Sequence, residues 1–79
     1  MTFKEALSRA ESGDPEAMLN VAESLFVGDG VQEDRREAMK WFRLAAEQGE
    51  VGGQIGLARG YREGKGVPQN DREAVKWYR

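Results

Sequence analysis

The chain has no cysteine and no histidine among its 79 residues, and only two prolines. The missing cysteine rules out a disulfide framework, and without either residue the usual thiolate and imidazole metal cages are excluded. Ser8, Ser12 and Ser24 have no histidine to activate them, so a Ser-His triad is impossible. Long apolar runs are lacking too. The opening "MTFKEALSRAESGD" has nothing that resembles a secretory leader or a membrane span, so the chain is expected in the cytoplasm, away from membranes. Neither sign of charge dominates: twelve basic and fourteen acidic residues are interspersed, for a net charge of −2. The longest basic run is the pair Arg35 and Arg36, too small a footprint for a phosphate backbone, so nucleic acid is not an expected partner. Cohesion is left to apolar packing, and one domain of this size hides only about 60% of its unfolded surface, which implies marginal stability.

What the chain does have is a repeat. Residues 28 to 43 read "GDGVQEDRREAMKWFR" and residues 64 to 79 read "GKGVPQNDREAVKWYR", 36 positions further on and without a gap. Identity at that offset holds at Ala10, Gly13, Ala22, Gly28, Gly30, Val31, Glu37, Ala38 and Trp41, among others, while Val21 becomes Leu57, Leu25 becomes Tyr61 and Phe42 becomes Tyr78. A fixed period of this length marks stacked units, each a supersecondary element that cannot bury its apolar face alone.

Each unit contains two helical patterns. Met18, Val21, Ala22, Leu25 and Phe26 follow the i, i+3, i+4, i+7, i+8 spacing of an amphipathic helix, and so do Ala38, Trp41, Phe42, Ala45 and Ala46. Asp14 followed by Pro15 is a helix start, and Asp34 with Glu37 has the spacing of an acidic capping box that Asn70 and Glu73 repeat. Gly13, Gly28, Gly49 and Gly64 fall just past helix ends. The expected helices cover residues near 2 to 12, 15 to 27, 34 to 48, 51 to 63 and 70 to 79, joined by short turns that make neighbours antiparallel. No strand pattern is present. Organisation follows from this: an N-terminal capping helix over residues 1 to 13, a first unit over 14 to 49, and a second over 50 to 79 whose last helix stops about one and a half turns short of its counterpart.

The residues laid out above resemble the Sel-one-like repeat (SLR) family, α/α relatives of tetratricopeptide arrays. The resemblance rests on Ala17, Leu25, Gly28, Gly30, Val31, Asp34, Ala38, Trp41, Phe42, Ala45, Ala46, Glu47 and Gly49 in the first copy, and on Leu57, Tyr61, Gly64, Gly66, Val67, Ala74, Trp77 and Tyr78 in the second. Ala58 stands in a position where the family has glycine, and Asn70 where it has aspartate. The resemblance implies an all-α solenoid of antiparallel helix pairs, a right-handed superhelix whose first helices line a concave surface, and a role in binding protein or peptide rather than catalysis. Cysteine-rich bacterial relatives have been associated with β-lactam binding or hydrolysis, and a cysteine-free chain stands apart from that branch.

Other chemistry is poorly supported by the residues. "GDG" and "GKG" lack the long P-loop run and the strand that precedes it. Asp29, Glu33 and Asp34 cluster without the alternating ligands of a calcium loop. Trp41, Phe42, Trp77 and Tyr78 recur at helical spacing, which points to packing between helices and not to base stacking. Neither an enzyme activity nor a cofactor nor a metal is expected.

Two surfaces remain as candidates for a partner. The helix "VGGQIGLARGYREG" places Gly52, Gly56 and Gly60 at i, i+4, i+8, a smooth stripe in a helix that each interior glycine weakens by about 0.5–1 kcal/mol. The stripe either abuts a neighbouring helix or, with Asn20, Glu23, Ser24, Arg59 and Glu63 beside it, receives a partner's backbone at the concave face. At the other end, Leu44, Ala45 and Ala46 are expected to meet the next unit in the first copy, whereas Trp77 and Tyr78 are expected to be half covered. That edge is an alternative interface, through which the chain would form homo-oligomers.

Overall fold

Polar residues at the turns decide where each helix begins, and the computed structural model, which describes residues 2–78, shows five: α1 (Phe3–Glu11), α2 (Pro15–Val27), α3 (Arg35–Glu47), α4 (Val51–Glu63) and α5 (Asp71–Tyr78). The described residues contain no strand. Met1 and Arg79, the outer limits of the expected first and last segments, lie outside them. Asp14 caps α2, accepting from the backbone N–H of Glu16 at 3.1 Å, with Pro15 as the first helical residue. Gly13, Gly28, Gly49 and Gly64 all take positive φ at helix ends.

The capping boxes expected at Asp34 and Asn70 are only half formed. Glu37 N–H donates to Asp34 Oδ1 at 3.1 Å and Glu73 N–H to Asn70 Oδ1 at 3.2 Å. The reciprocal bonds are not made, because each loop folds back on the preceding helix: Asp34 N–H donates to Leu25 O and Asn70 N–H to Tyr61 O, both at 2.8 Å. The complete box lies at α1, where Thr2 N–H donates to Glu5 Oε1 and Glu5 N–H to Thr2 Oγ1, each at 3.2 Å. The Thr2 backbone N–H first, and second the Thr2 hydroxyl, which donates to Glu5 Oε1 at 3.0 Å, hold the Glu5 carboxyl below the ordinary glutamate value.

Each helix packs on the next in chain order, α1 on α2, α2 on α3, α3 on α4 and α4 on α5. The core they enclose is made largely of alanine, with Ala10, Ala22, Ala38, Ala45 and Ala58 almost fully buried and, among the described residues, only Val21 and Leu57 of the larger side chains completely so. Small residues let helix axes approach, but each buries little apolar area, so cohesion comes from close contact more than from large side chains. Phe42 is the largest contributor: buried in α3, it meets Phe26 of α2 edge to face with ring centroids 6.0 Å apart. Arg35 also lies over Phe26, its guanidinium carbon 5.0 Å from the ring centroid.

At Gly53 the backbones of α3 and α4 themselves come together. A Cβ built there would stand 2.7 Å from Ala46 N and 2.8 Å from Phe42 O, backbone atoms that have no rotamer to move to. Ala45 and Ala46 meet the following helix as expected. Leu44 does not: it is 41% exposed and turns toward a surface groove.

Candidate functional site

The glycine stripe of α4 abuts side chains of neighbouring helices, the first of the two alternatives that its spacing left open. A Cβ at Gly56 would fall 2.5 Å from the Phe42 ring, one at Gly60 would strike the Met39 thioether, and one at Gly52 would come within 2.6 Å of Leu19. With these glycines as hollows, the large side chains of α3 and α2 lie across α4. Gly60 is buried in that contact and Gly56 half-buried.

Around the stripe, the outward side chains of α2 and α4 form one face with two shallow depressions. One, of about 250 Å³, has Phe42 and Gly56 as its floor and Glu23, Val27, Ile55 and Arg59 around it. The other, of about 290 Å³, is lined by Phe3 and Ala6 of α1 together with Asn20, Glu23, Ser24 and Val27 of α2. Five of the residues singled out in the sequence, Asn20, Glu23, Ser24, Gly56 and Arg59, therefore share this face. Glu63 does not line either depression. It is the hub of an ion cluster, with its carboxylate 3.3 Å from Arg62, 3.4 Å from Lys65 and 3.7 Å from Arg59. The Arg62 hydrogen bond, assisted by Lys65 and opposed by desolvation, keeps the Glu63 carboxyl below its ordinary value.

Two members of the face escaped the sequence reading. Val27 is 66% exposed and Ile55 49% exposed, an uncommon investment of apolar surface next to opposite charges at Glu23 and Arg59. A signal existed: both residues fall outside the core-facing apolar series of their helices, and an apolar residue out of phase with its stripe is a candidate for contact.

At the far edge Trp77 packs between helices as the aromatic pattern predicts, whereas Tyr78 stands largely open. Trp77 is half-buried against the core with the Arg43 guanidinium 5.8 Å above its ring, and its Nε1 is buried with no acceptor among the described residues. Tyr78 is 50% exposed, with Arg62 5.9 Å from its ring centre. Among the described residues no three acidic side chains converge to hold a metal ion, and no helix is long and apolar enough to cross a membrane.

The Sel1 repeat pattern matches residues 15–50 and 52–79. Among curated proteins none matches the chain. Among solved structures it is similar to a protective antigen of uropathogenic Escherichia coli with an SLR fold, at 39% identity and a TM-score of 0.95 over 96% of this chain and 16% of that one. A Sel1 repeat protein from Oxalobacter formigenes shares 37% identity and a TM-score of 0.80 over 82% of this chain and 27% of its own. Helicobacter pylori cysteine-rich protein B, at 24% identity, shares the fold, with a TM-score of 0.90 over 96% of this chain and 57% of that one. The chain spans well under two thirds of the length of each.

Proposed function

Because the chain belongs to the Sel1 repeat family, whose members are generally protein-interaction scaffolds, we propose that it is a non-enzymatic adaptor that binds a protein or peptide on the face shared by α2 and α4. The observation that carries this reading is the exposed pair Val27 and Ile55, set between Glu23 and Arg59 beside the half-open Gly56 hollow. An apolar patch rimmed by both signs of charge suits a peptide that buries one or two apolar side chains and aligns its polar groups at the rim. The depressions are too shallow to enclose a small molecule, most of whose surface a ligand pocket would hide. Of the residues named from sequence, Asn20, Glu23, Ser24 and Arg59 contact the partner directly. Gly56 shapes the floor, whereas Gly60 and Glu63 act through α4.

A photo-crosslinking side chain introduced at position 55 tests this proposal against the same label at Glu47, which is exposed on α3. A partner captured at 55 but not at 47, and lost when Val27→Lys is added with helical circular dichroism intact, supports the α2/α4 face. Equal capture at both positions, or capture indifferent to Val27→Lys, removes it.

A second reading has its own observation. Val75 and Tyr78 of α5 are half exposed at the positions where α3 has Met39 and Phe42, the two side chains covered by Gly60 and Gly56. The edge formed by Trp77 and Tyr78 thus suits another small-residue helix, including one from a second copy of the chain. Light-scattering mass against concentration decides it: a dimer made monomeric by Trp77→Ala with Tyr78→Ala favours self-assembly, and a concentration-independent monomer rejects it.

A further inference from the structure

We infer that the groove between α3 and the α4–α5 loop is a second docking site, fitted to an acidic segment of a partner protein that carries an apolar side chain between carboxylates. It holds about 850 Å³ over an apolar floor that includes Leu44, Tyr61 and Val67, with the buried Leu57 beneath, and Arg36, Lys40 and Arg43 stand along its α3 wall with no acidic residue in its lining. At 3.6 residues per turn, Leu57 and Tyr61 leave α4 on the side opposite Ile55 and Arg59, so this groove and the α2/α4 face can be occupied together.

Charge selects the occupant. The chain as a whole is net negative, yet the three cations stand at i, i+4 and i+7, one ridge of α3. Among the described residues neither Arg36 nor Arg43 has a carboxylate within ion-pair distance, and Lys40, 3.8 Å from Glu37, remains 75% exposed. Arg43 is held in place: it donates to the Tyr61 hydroxyl and lies over the Trp77 ring, so part of its ordering cost is met before a ligand arrives. A guanidinium has donors left over after one such bond, arranged to match a carboxylate. The apolar floor adds what a bare cationic ridge lacks, a place for a leucine-sized side chain. The preceding helix pair, α1 with α2, offers no equivalent, since Leu7 and Ser8 of α1 stand where Arg43 and Leu44 do.

Fluorescence anisotropy with a labelled decapeptide of aspartate, glutamate and leucine tests the site on the whole chain. Three controls accompany it: the same peptide with leucine replaced by serine, one with the acids replaced by lysine, and labelled oligothymidylate. The expected result is that the acidic, leucine-containing peptide binds at least about tenfold more tightly than every control, a difference erased by Arg36→Glu with Lys40→Glu. Both substituted residues are exposed, so folding is retained, and circular dichroism verifies it. Ile55→Asp leaves this binding unchanged, which separates it from the α2/α4 face. No binding by the unaltered chain, equal binding of the serine peptide or of oligothymidylate, indifference to the double substitution, or loss in Ile55→Asp would each overturn the assignment.

Discussion

The first helix pair, α1 with α2, and the next, α3 with α4, solve one packing problem with opposite choices of side chain. Where α1 presents Ala6, α2 answers with Asn20. Where α3 presents Phe42 at the equivalent position, α4 answers with Gly56. At the next contact there is no such exchange: Phe3 and Ser24 correspond to Met39 and Gly60, with the large side chain on the first helix in both pairs. At the first contact volume moves from one helix to the other while the interface persists, which is why a helix so rich in glycine is tolerated: the hollows that weaken α4 alone are filled by α3. Outward positions obey no such rule. Glu23 becomes Arg59 and Val27 becomes Glu63, so the frame repeats while the surfaces offered to partners do not.

The strongest way to break this comparison is to graft one solution onto the other. Phe42→Ala should cost about 3–5 kcal/mol by opening a cavity in a well-packed site. Gly56→Asn alone should cost about 1–3 kcal/mol, since its side chain meets the Phe42 ring. The double substitution recreates the Ala6 and Asn20 pairing and should be less harmful than the sum by about 1–3 kcal/mol in urea unfolding. Strict additivity would show that the two faces do not compensate.

A smaller effect is expected in the loops, where the repeats look alike in sequence and differ in surroundings. Gly30 and Gly66 both have left-handed backbone, at φ of 74° and 81°, so alanine at either position bears a similar conformational penalty of about 1–2 kcal/mol. Beyond it, Gly30 faces open space, whereas a Cβ at Gly66 would collide with the Arg35 carbonyl. Gly66→Ala should therefore lower stability by at least about 1 kcal/mol more than Gly30→Ala. Equal losses would mean that the second loop does not press on α3.

Helix positions, turn glycines and the solenoid class were legible because they depend on local rules: the 3.6-residue period, an acid before Pro15, a glycine after each of the first four helices. The unmade half of the boxes at Asp34 and Asn70 was not, since it depends on carbonyls of Leu25 and Tyr61 brought in by the loop's path. The direction of the Gly52, Gly56 and Gly60 stripe was equally hidden. Spacing places three glycines on one side of a helix, but only the arrangement of α2 and α3 fixes which neighbour fills that side. Val27 and Ile55 were passed over for a different reason: apolar residues read from sequence are assigned to the core unless their phase is checked one by one.

The N-termini of α2 and α4 give a test with the opposite sign. Asp14 caps α2, while Glu50 at the equivalent position makes no side-chain bond to the first turn of α4, one methylene group separating the two side chains. Glu50→Asp should restore the cap and stabilise the chain by about 0.5–1 kcal/mol, read as a rise in the urea midpoint. No gain would place the entry to α4 in a different geometry from the entry to α2.

The smallest expected effect concerns the ends of the same two helices, where Val27 exposes a methyl surface and Glu63 gathers Arg59, Arg62 and Lys65. The Glu63 carboxyl is held below the ordinary glutamate value in the folded chain, chiefly by Arg62. A lowered folded value means that the unfolded chain takes up the proton first as pH falls. The stabilisation is therefore complete above the ordinary glutamate value and is lost as pH descends through the lowered one. Glu63→Gln should accordingly lower the melting temperature slightly at neutral pH, and the difference should vanish once the medium is acidic enough to protonate Glu63 in the folded chain. Because solvent screens a surface cluster, the shift should shrink in high salt. A difference that persisted in acid would assign the role of Glu63 to the shape of its side chain, and the charge that distinguishes this position from Val27 would have no part in holding α4.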